Sequence, residues 1–114
     1  MGVVRVHELA LTQSVVDLIT ERLGPARVSA VHLEVGRLSG VFPDALRFCF
    51  GMVTEGTALA GARLDISEPA ARGRCRDCGA EFDVDDPLVL CDCGSADVEL
   101  RGGQDLLVRS VEVV

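Results

Sequence analysis

Cys75, Cys78, Cys91 and Cys93 fall within nineteen residues, in the run CRDCGAEFDVDDPLVLCDCG, and this C-x2-C-x12-C-x-C pattern constrains the chain more than any other feature. Two sulfurs on each side of a short polar loop can close around one ion, and four thiolates suit tetrahedral zinc. Gly79 follows the first pair and Gly94 the second, where each can relieve the strain of a tight turn. The second pair has one intervening residue where a two-residue spacer is the more familiar chelate. Four protein sulfurs fill a tetrahedral shell, so a metal held this way is structural and has no open position for catalysis. Catalytic dithiol chemistry is the weaker rival to a structural metal here.

A metal staple also fits the chain's size. At 114 residues the protein can bury roughly 65% of its extended surface, enough for one modest core but not for a second unstapled module. Hydrophobic residues make up 48% and aromatics 4%, with no Trp or Tyr, so the core must be aliphatic. No apolar run reaches the length of a spanning helix, and MGVVRVHELALTQS has no secretory pattern. The expected setting is the cytoplasm, where thiols stay reduced, with no membrane partner. The formal charge of −7 would fall to about −9 with four thiolates around Zn2+, and such a field repels nucleic acid. Arg72, Arg74 and Arg76 are expected to offset part of the thiolate charge.

The hydrophobic period assigns the elements. ELALTQSVVDLITERL, Glu8 to Leu23, reads as an amphipathic helix with Leu11, Val15, Leu18 and Arg22 in line, flanked by Ile19 and Leu23. Glu8, Gln13, Asp17 and Glu21 fall on its wetter side. Gly24-Pro25 ends it. In VSAVHLEV the period drops to two, with Val31, Leu33 and Val35 inward and Ala30, His32 and Glu34 outward. A second helix starts near Pro43, whose missing donor costs nothing in a first turn. Its apolar face is Leu46, Cys49, Phe50 and Val53, with Phe42 packing beneath. Strands follow in ALAGARLDISE, where Leu64 and Ile66 alternate with Arg63, Asp65 and Ser67, and in DLLVRSVEVV, where Leu107, Arg109, Val111 and Val113 alternate with Val108, Ser110 and Glu112. The expected fold is α/β: a small mixed sheet with two helices and an inserted four-cysteine zinc-binding module. Residues 1–70 plus 103–114 form the α/β domain and 71–102 the insertion, whose flanking strands can pair with each other.

His7 and Glu8 open the first helix. An imidazole is a suitable ligand for Ni2+, Glu8 can orient it, and nearby backbone nitrogens can complete a planar set; equally, a His-Glu pair can be a solvated helix start. The residues alone leave both readings open. No Ser/His/Asp arrangement, phosphate-binding glycine loop or catalytic carboxylate pair is present, so enzyme activity is not expected.

The ordered set HELALTQSVVDLI, VHLEVGRLSGVFPDALRFCFGMVTEGT, GARLDI, the paired cysteines and LLVRSVEV resembles the hydrogenase-maturation nickel metallochaperone family, known as HypA/HybF. The match runs over nearly the whole chain after Val6. That resemblance implies an α/β nickel-binding domain with an inserted zinc-binding domain. It implies insertion of Ni2+ cargo into the large subunit of nickel-iron hydrogenase with a maturation GTPase as partner, and urease-maturation partners in some members. It places the nickel ligand at His7 with Glu8 beside it, structural Zn2+ on Cys75, Cys78, Cys91 and Cys93, and no metal role on Cys49, which is expected in the core. His32 is expected at the surface. Two departures stand out. The family's His directly follows the initiator Met, whereas MGVVR precedes Val6 here; initiation at a valine codon for Val6 would recover Met-His-Glu. The second cysteine pair is C-x-C where the family has C-x2-C. The alternative function is a zinc-ribbon protein-interaction module without nickel transfer.

Overall fold

A computed structural model describes residues 6–114. Helix α1 spans Val6–Leu23, strand β1 Val28–Val35, helix α2 Pro43–Val53 and strand β2 Arg63–Ser67. Strands β3 Ala71–Cys75, β4 Glu81–Val84 and β5 Val98–Arg101 follow, and β6 is Leu106–Val113. One three-stranded sheet has the order β2-β1-β6, with β1 parallel to β2 and antiparallel to β6. A parallel neighbour needs a crossover, and α2 supplies it between β1 and β2. The second sheet, β4-β3-β5, is antiparallel throughout. The expected mixed sheet is therefore present. The strands that flank the cysteine segment do not pair with each other, however, because β1 lies between β2 and β6 and bonds to both.

The aliphatic core joins Val15, Val16 and Ile19 of α1, Val31, Leu33 and Val35 of β1, Leu46 and Phe50 of α2, and Leu59 and Leu64. The inward set of β1 is as its alternation predicts. The inward face of α1 is not. Glu8, Thr12, Val15, Val16 and Ile19 are buried, while Leu18 remains 42% exposed. The helix is turned so that its β-branched residues meet α2 and the sheet, and Leu18 lies over the edge of β6 instead. Phe42 likewise stays half exposed rather than beneath α2, whereas Cys49 is buried as expected.

Strict alternation also fails in β6. A register irregularity places Val108 opposite Leu33 and Ser110 opposite His32, so Arg109 is the extra residue of a bulge. Val108 and Val111 consequently pack on the same core. On the sheet's other side, Arg63 pairs with Asp65 and Glu112, Arg109 with Glu34, and the half-buried His32 ring lies 3.1 Å from Ser67 Oγ. Among the described residues, no helix is long and apolar enough to cross a membrane.

Candidate metal centres

Strand β3 ends on Cys75, and the chain turns at once. Cys75 N–H donates to Ala80 O and Gly79 N–H to Cys75 O, both at 2.9 Å, while Cys78 N–H points at Cys75 Sγ at 3.5 Å. The second turn repeats this design one residue shorter: Cys91 N–H donates to Ser95 O at 2.9 Å and Gly94 N–H to Cys91 O at 2.8 Å. Both glycines take left-handed backbone angles, φ 79° at Gly79 and 93° at Gly94, which a side chain would resist. The C-x-C spacing thus still makes a closed knuckle.

The two knuckles meet face to face. Cys75 Sγ lies 3.7 Å from Cys93 Sγ, Cys78 Sγ lies 3.5 Å from Cys91 Sγ, and all four sulfurs are within 4.8 Å of one another. A tetrahedron with zinc–sulfur bonds of about 2.3 Å has edges of about 3.8 Å. The donor set therefore fits one zinc ion. Cys75 and Cys91 are buried and Cys78 and Cys93 reach the surface. Polar stitches outside the sulfurs hold the knuckles together: the Ser95 hydroxyl donates to the Asp77 carboxylate, and Arg76 pairs with Asp97 at 2.8 Å. Arg72 pairs with Asp83. Arg72 and Arg76 are thus each paired directly with an exposed carboxylate.

Without metal, crowding splits the thiols apart. The Cys78 amide is the main reason that Cys75 is drawn down to about 6; the Asp77 amide and the Cys93 and Cys78 thiols assist, and burial opposes. At Cys91 the Cys93 amide pulls downward, but burial and the Cys78, Cys93 and Cys75 thiols together push the group up to about 12. Cys93 is held down by the Ser95 amide and Cys91, yet Cys75, burial and Cys78 leave it raised. One sulfur is thus charged near neutrality while two hold their protons, an arrangement that a divalent cation would relieve.

The other candidate lies at the start of α1. His7 is exposed in the first turn, where amide hydrogens have no intrahelical acceptor. Glu8 is 1% exposed, against its expected place on the wet side. Its Oε2 accepts from Phe42 N–H at 3.3 Å, so α1 caps the start of α2, whose own N-cap residue has no capping side chain. Its Oε1 is buried with no hydrogen-bond partner among the described residues. His7 does not join the cysteine cluster, the only such group among the described residues. Residues 1–5, on which the question of the start codon turns, lie outside the described residues.

A family model described as "Hydrogenase/urease nickel incorporation, metallochaperone, hypA" matches residues 6–113. The chain belongs to the HypA family. "Hydrogenase maturation factor HypA" of Nostoc punctiforme is 45% identical over 107 residues, covering 94% of this chain and 95% of that protein. The same-named protein of Geotalea uraniireducens is 49% identical over 108 residues, covering 94% and 98%. The solution structure of the Ni metallochaperone HypA from Helicobacter pylori matches the fold with a TM-score of 0.64 at 20% identity, over 94% of this chain and 97% of that one.

Within this family member, the six site residues named from the sequence separate into two places: four sulfurs brought together, and His7 with Glu8 at the junction of the two helices. Asp77, Ser95 and Asp97 were not singled out, although their polar side chains beside the cysteines were a usable signal. The burial of Glu8 was not legible: Glu8, Thr12, Val15 and Ile19 share one helical stripe, but the apolar line through Leu11, Val15 and Leu18 is the stronger pattern in the sequence.

Proposed function

We propose that this chain is a nickel metallochaperone that delivers Ni2+ for insertion into the large subunit of a nickel-iron hydrogenase. His7 supplies an imidazole and the adjacent first-turn amides supply nitrogens that can release their protons to solvent as nickel binds. Glu8 supports the site from inside: one oxygen fixes the helix junction, and the other, Oε1, has no hydrogen-bond partner among the described residues. Cys75, Cys78, Cys91 and Cys93 hold a structural Zn2+. Residues 71–102 act as the inserted zinc module, and residues 1–70 with 103–114 as the nickel-binding unit.

The observation that carries this reading is the separation of an exposed imidazole at a helix start from a closed four-sulfur cluster, within a chain that matches the nickel-incorporation family over 6–113. Cargo must be exchangeable, and an exposed helix start can trade ligands without disturbing the core. A filled sulfur shell exchanges poorly and suits a permanent ion. The protein works without catalysis of its own, in the cytoplasm, alongside a maturation GTPase and the hydrogenase large subunit, with urease-maturation partners as further recipients. Calorimetric titration of zinc-loaded protein should find a nickel-binding event that His7→Ala abolishes. Equal stoichiometry and affinity in the two proteins would remove His7 from the site.

A further inference from the structure

The four sulfurs differ in access. Cys75 is 1% and Cys91 6% exposed, whereas Cys78 and Cys93 reach the surface. Each knuckle thus carries one buried and one exposed sulfur, and the close contacts cross from one knuckle to the other. Exposed Cys78 Sγ lies 3.5 Å from buried Cys91 Sγ, and exposed Cys93 Sγ lies 3.7 Å from buried Cys75 Sγ. A disulfide bond is about 2.05 Å long, so either crossed pair closes with a movement of roughly 1.5 Å.

Pairing within a knuckle is less accessible. A bond between Cys91 and Cys93 would close a ring of three residues inside a turn already fixed by Cys91 N–H on Ser95 O and Gly94 N–H on Cys91 O. Disulfide geometry is specific, and so small a ring strains it. Meanwhile the Ser95 hydroxyl on the Asp77 carboxylate and Arg76 on Asp97 hold the two knuckles opposite each other without help from the sulfurs. A closed sulfur shell resists exchange with other ions, but oxidation of its own ligands opens it.

We propose that Cys78 and Cys93 are oxidative modification sites, through which a hydroperoxide converts the cysteine unit from a zinc-held to a disulfide-held form. The Cys78 sulfur attacks the peroxide: a sulfur–oxygen bond forms, the oxygen–oxygen bond breaks, and hydroxide leaves, giving a sulfenic acid. Cys91 then attacks that sulfur; the sulfur–sulfur bond forms, the sulfur–oxygen bond breaks, and a second hydroxide leaves. Two thiolates have given up two electrons, and one peroxide has gained them. Cys93 and Cys75 repeat the sequence with a second peroxide, each hydroxide takes a proton from solvent, and Zn2+ is released as its donors are consumed. Both linkages join one knuckle to the other, so they replace the metal as the staple, and a dithiol reductant reverses the change. Cys49, 5% exposed on α2, takes no part. The release of zinc rests on the metal occupancy proposed above; the pairing of the sulfurs does not.

The test treats the full, zinc-loaded chain with hydrogen peroxide. Released zinc is read with a weak colorimetric indicator, disulfides are mapped by mass spectrometry after free thiols are blocked, and order is followed by far-ultraviolet ellipticity. About two peroxides should be consumed per zinc released, with Cys75–Cys93 and Cys78–Cys91 as the linkages and Cys49 recovered as a free thiol. The oxidised chain should keep its ellipticity, unlike chain stripped of metal by a chelator, and a dithiol reductant should restore full zinc uptake. Retention of zinc in a large excess of peroxide overturns the proposal. So do linkages within a knuckle or between two chains, and oxidation that runs on to sulfinic acids without forming a disulfide. If the reduced chain binds no zinc, the proposed metal occupancy fails, while the mapped linkages still decide the pairing.

Discussion

Glu8 carries the largest difference between appearance and role at the scale of single residues. A carboxylate in the first turn of a helix is ordinarily solvated and interacts with the dipole from outside. Here it is turned inward, and its neighbours Thr12 and Val15 share its buried stripe. Glu8→Ala removes the acceptor of the Phe42 N–H and leaves a void, and should cost about 1–3 kcal/mol of stability by urea denaturation. A change under about 0.5 kcal/mol would mean that the contact with Phe42 contributes little. Leu33, fully buried at the centre of the sheet, is the control for ordinary packing: Leu33→Ala should cost about 2–5 kcal/mol and leave zinc uptake per folded molecule unchanged.

Among the elements, the two cysteine knuckles are the most sharply specified. Each is closed by a short backbone turn and released by a glycine with a left-handed backbone, so the shorter one depends on Gly94 as the longer depends on Gly79. Gly94→Ala adds a Cβ in open space, which isolates the backbone strain as the cause of any change. That strain is about 1–2 kcal/mol, and zinc affinity in competition with a chelator should fall about tenfold. Undiminished affinity would show that the C-x-C knuckle tolerates another backbone geometry. Strand β6 teaches a complementary lesson, because its bulge at Arg109 reverses the faces that simple alternation assigns.

For the whole molecule, the titration of the sulfurs sets the conditions of metal loading. Metal and proton compete for the same lone pairs. Cys91, pushed up to about 12, and Cys93, also raised, are protonated at pH 7, whereas Cys75, drawn down to about 6, is already largely thiolate. Loading must expel at least the protons of Cys91 and Cys93, so apparent zinc affinity should rise at least about a hundredfold per pH unit from pH 7 to 8 and fall as pH is lowered. Below about pH 6 Cys75 also takes a proton, and the dependence should steepen. Titrations in buffers of different ionisation enthalpy count the released protons; fewer than two would contradict these assignments. Chelation should also cost the β4-β3-β5 sheet its order while the aliphatic core around β1 persists, seen as a partial loss of far-ultraviolet ellipticity with retained protection in β1. Loss of protection in both sheets together would instead make the molecule one cooperative unit.

Local chemistry was enough to make several features readable in the chain itself. The period of the apolar residues marked α1, β1, α2 and β2, Pro43 marked the start of α2, and the cysteine spacing marked four sulfurs bound for one ion. Each of these depends on residues close in sequence. Tertiary structure decided which side of α1 is inside, that β1 separates β2 from β6, and that Val108 and Val111 share a face. It also decided that Arg37 meets Asp85 and Glu8 meets Phe42. Those outcomes depend on partners 34 to 48 positions apart in the two contacts. Periodicity states that a face is apolar, but only packing selects how the helix is rotated on its neighbours. A lone polar residue gives no sign of its partner until the fold has brought the two together.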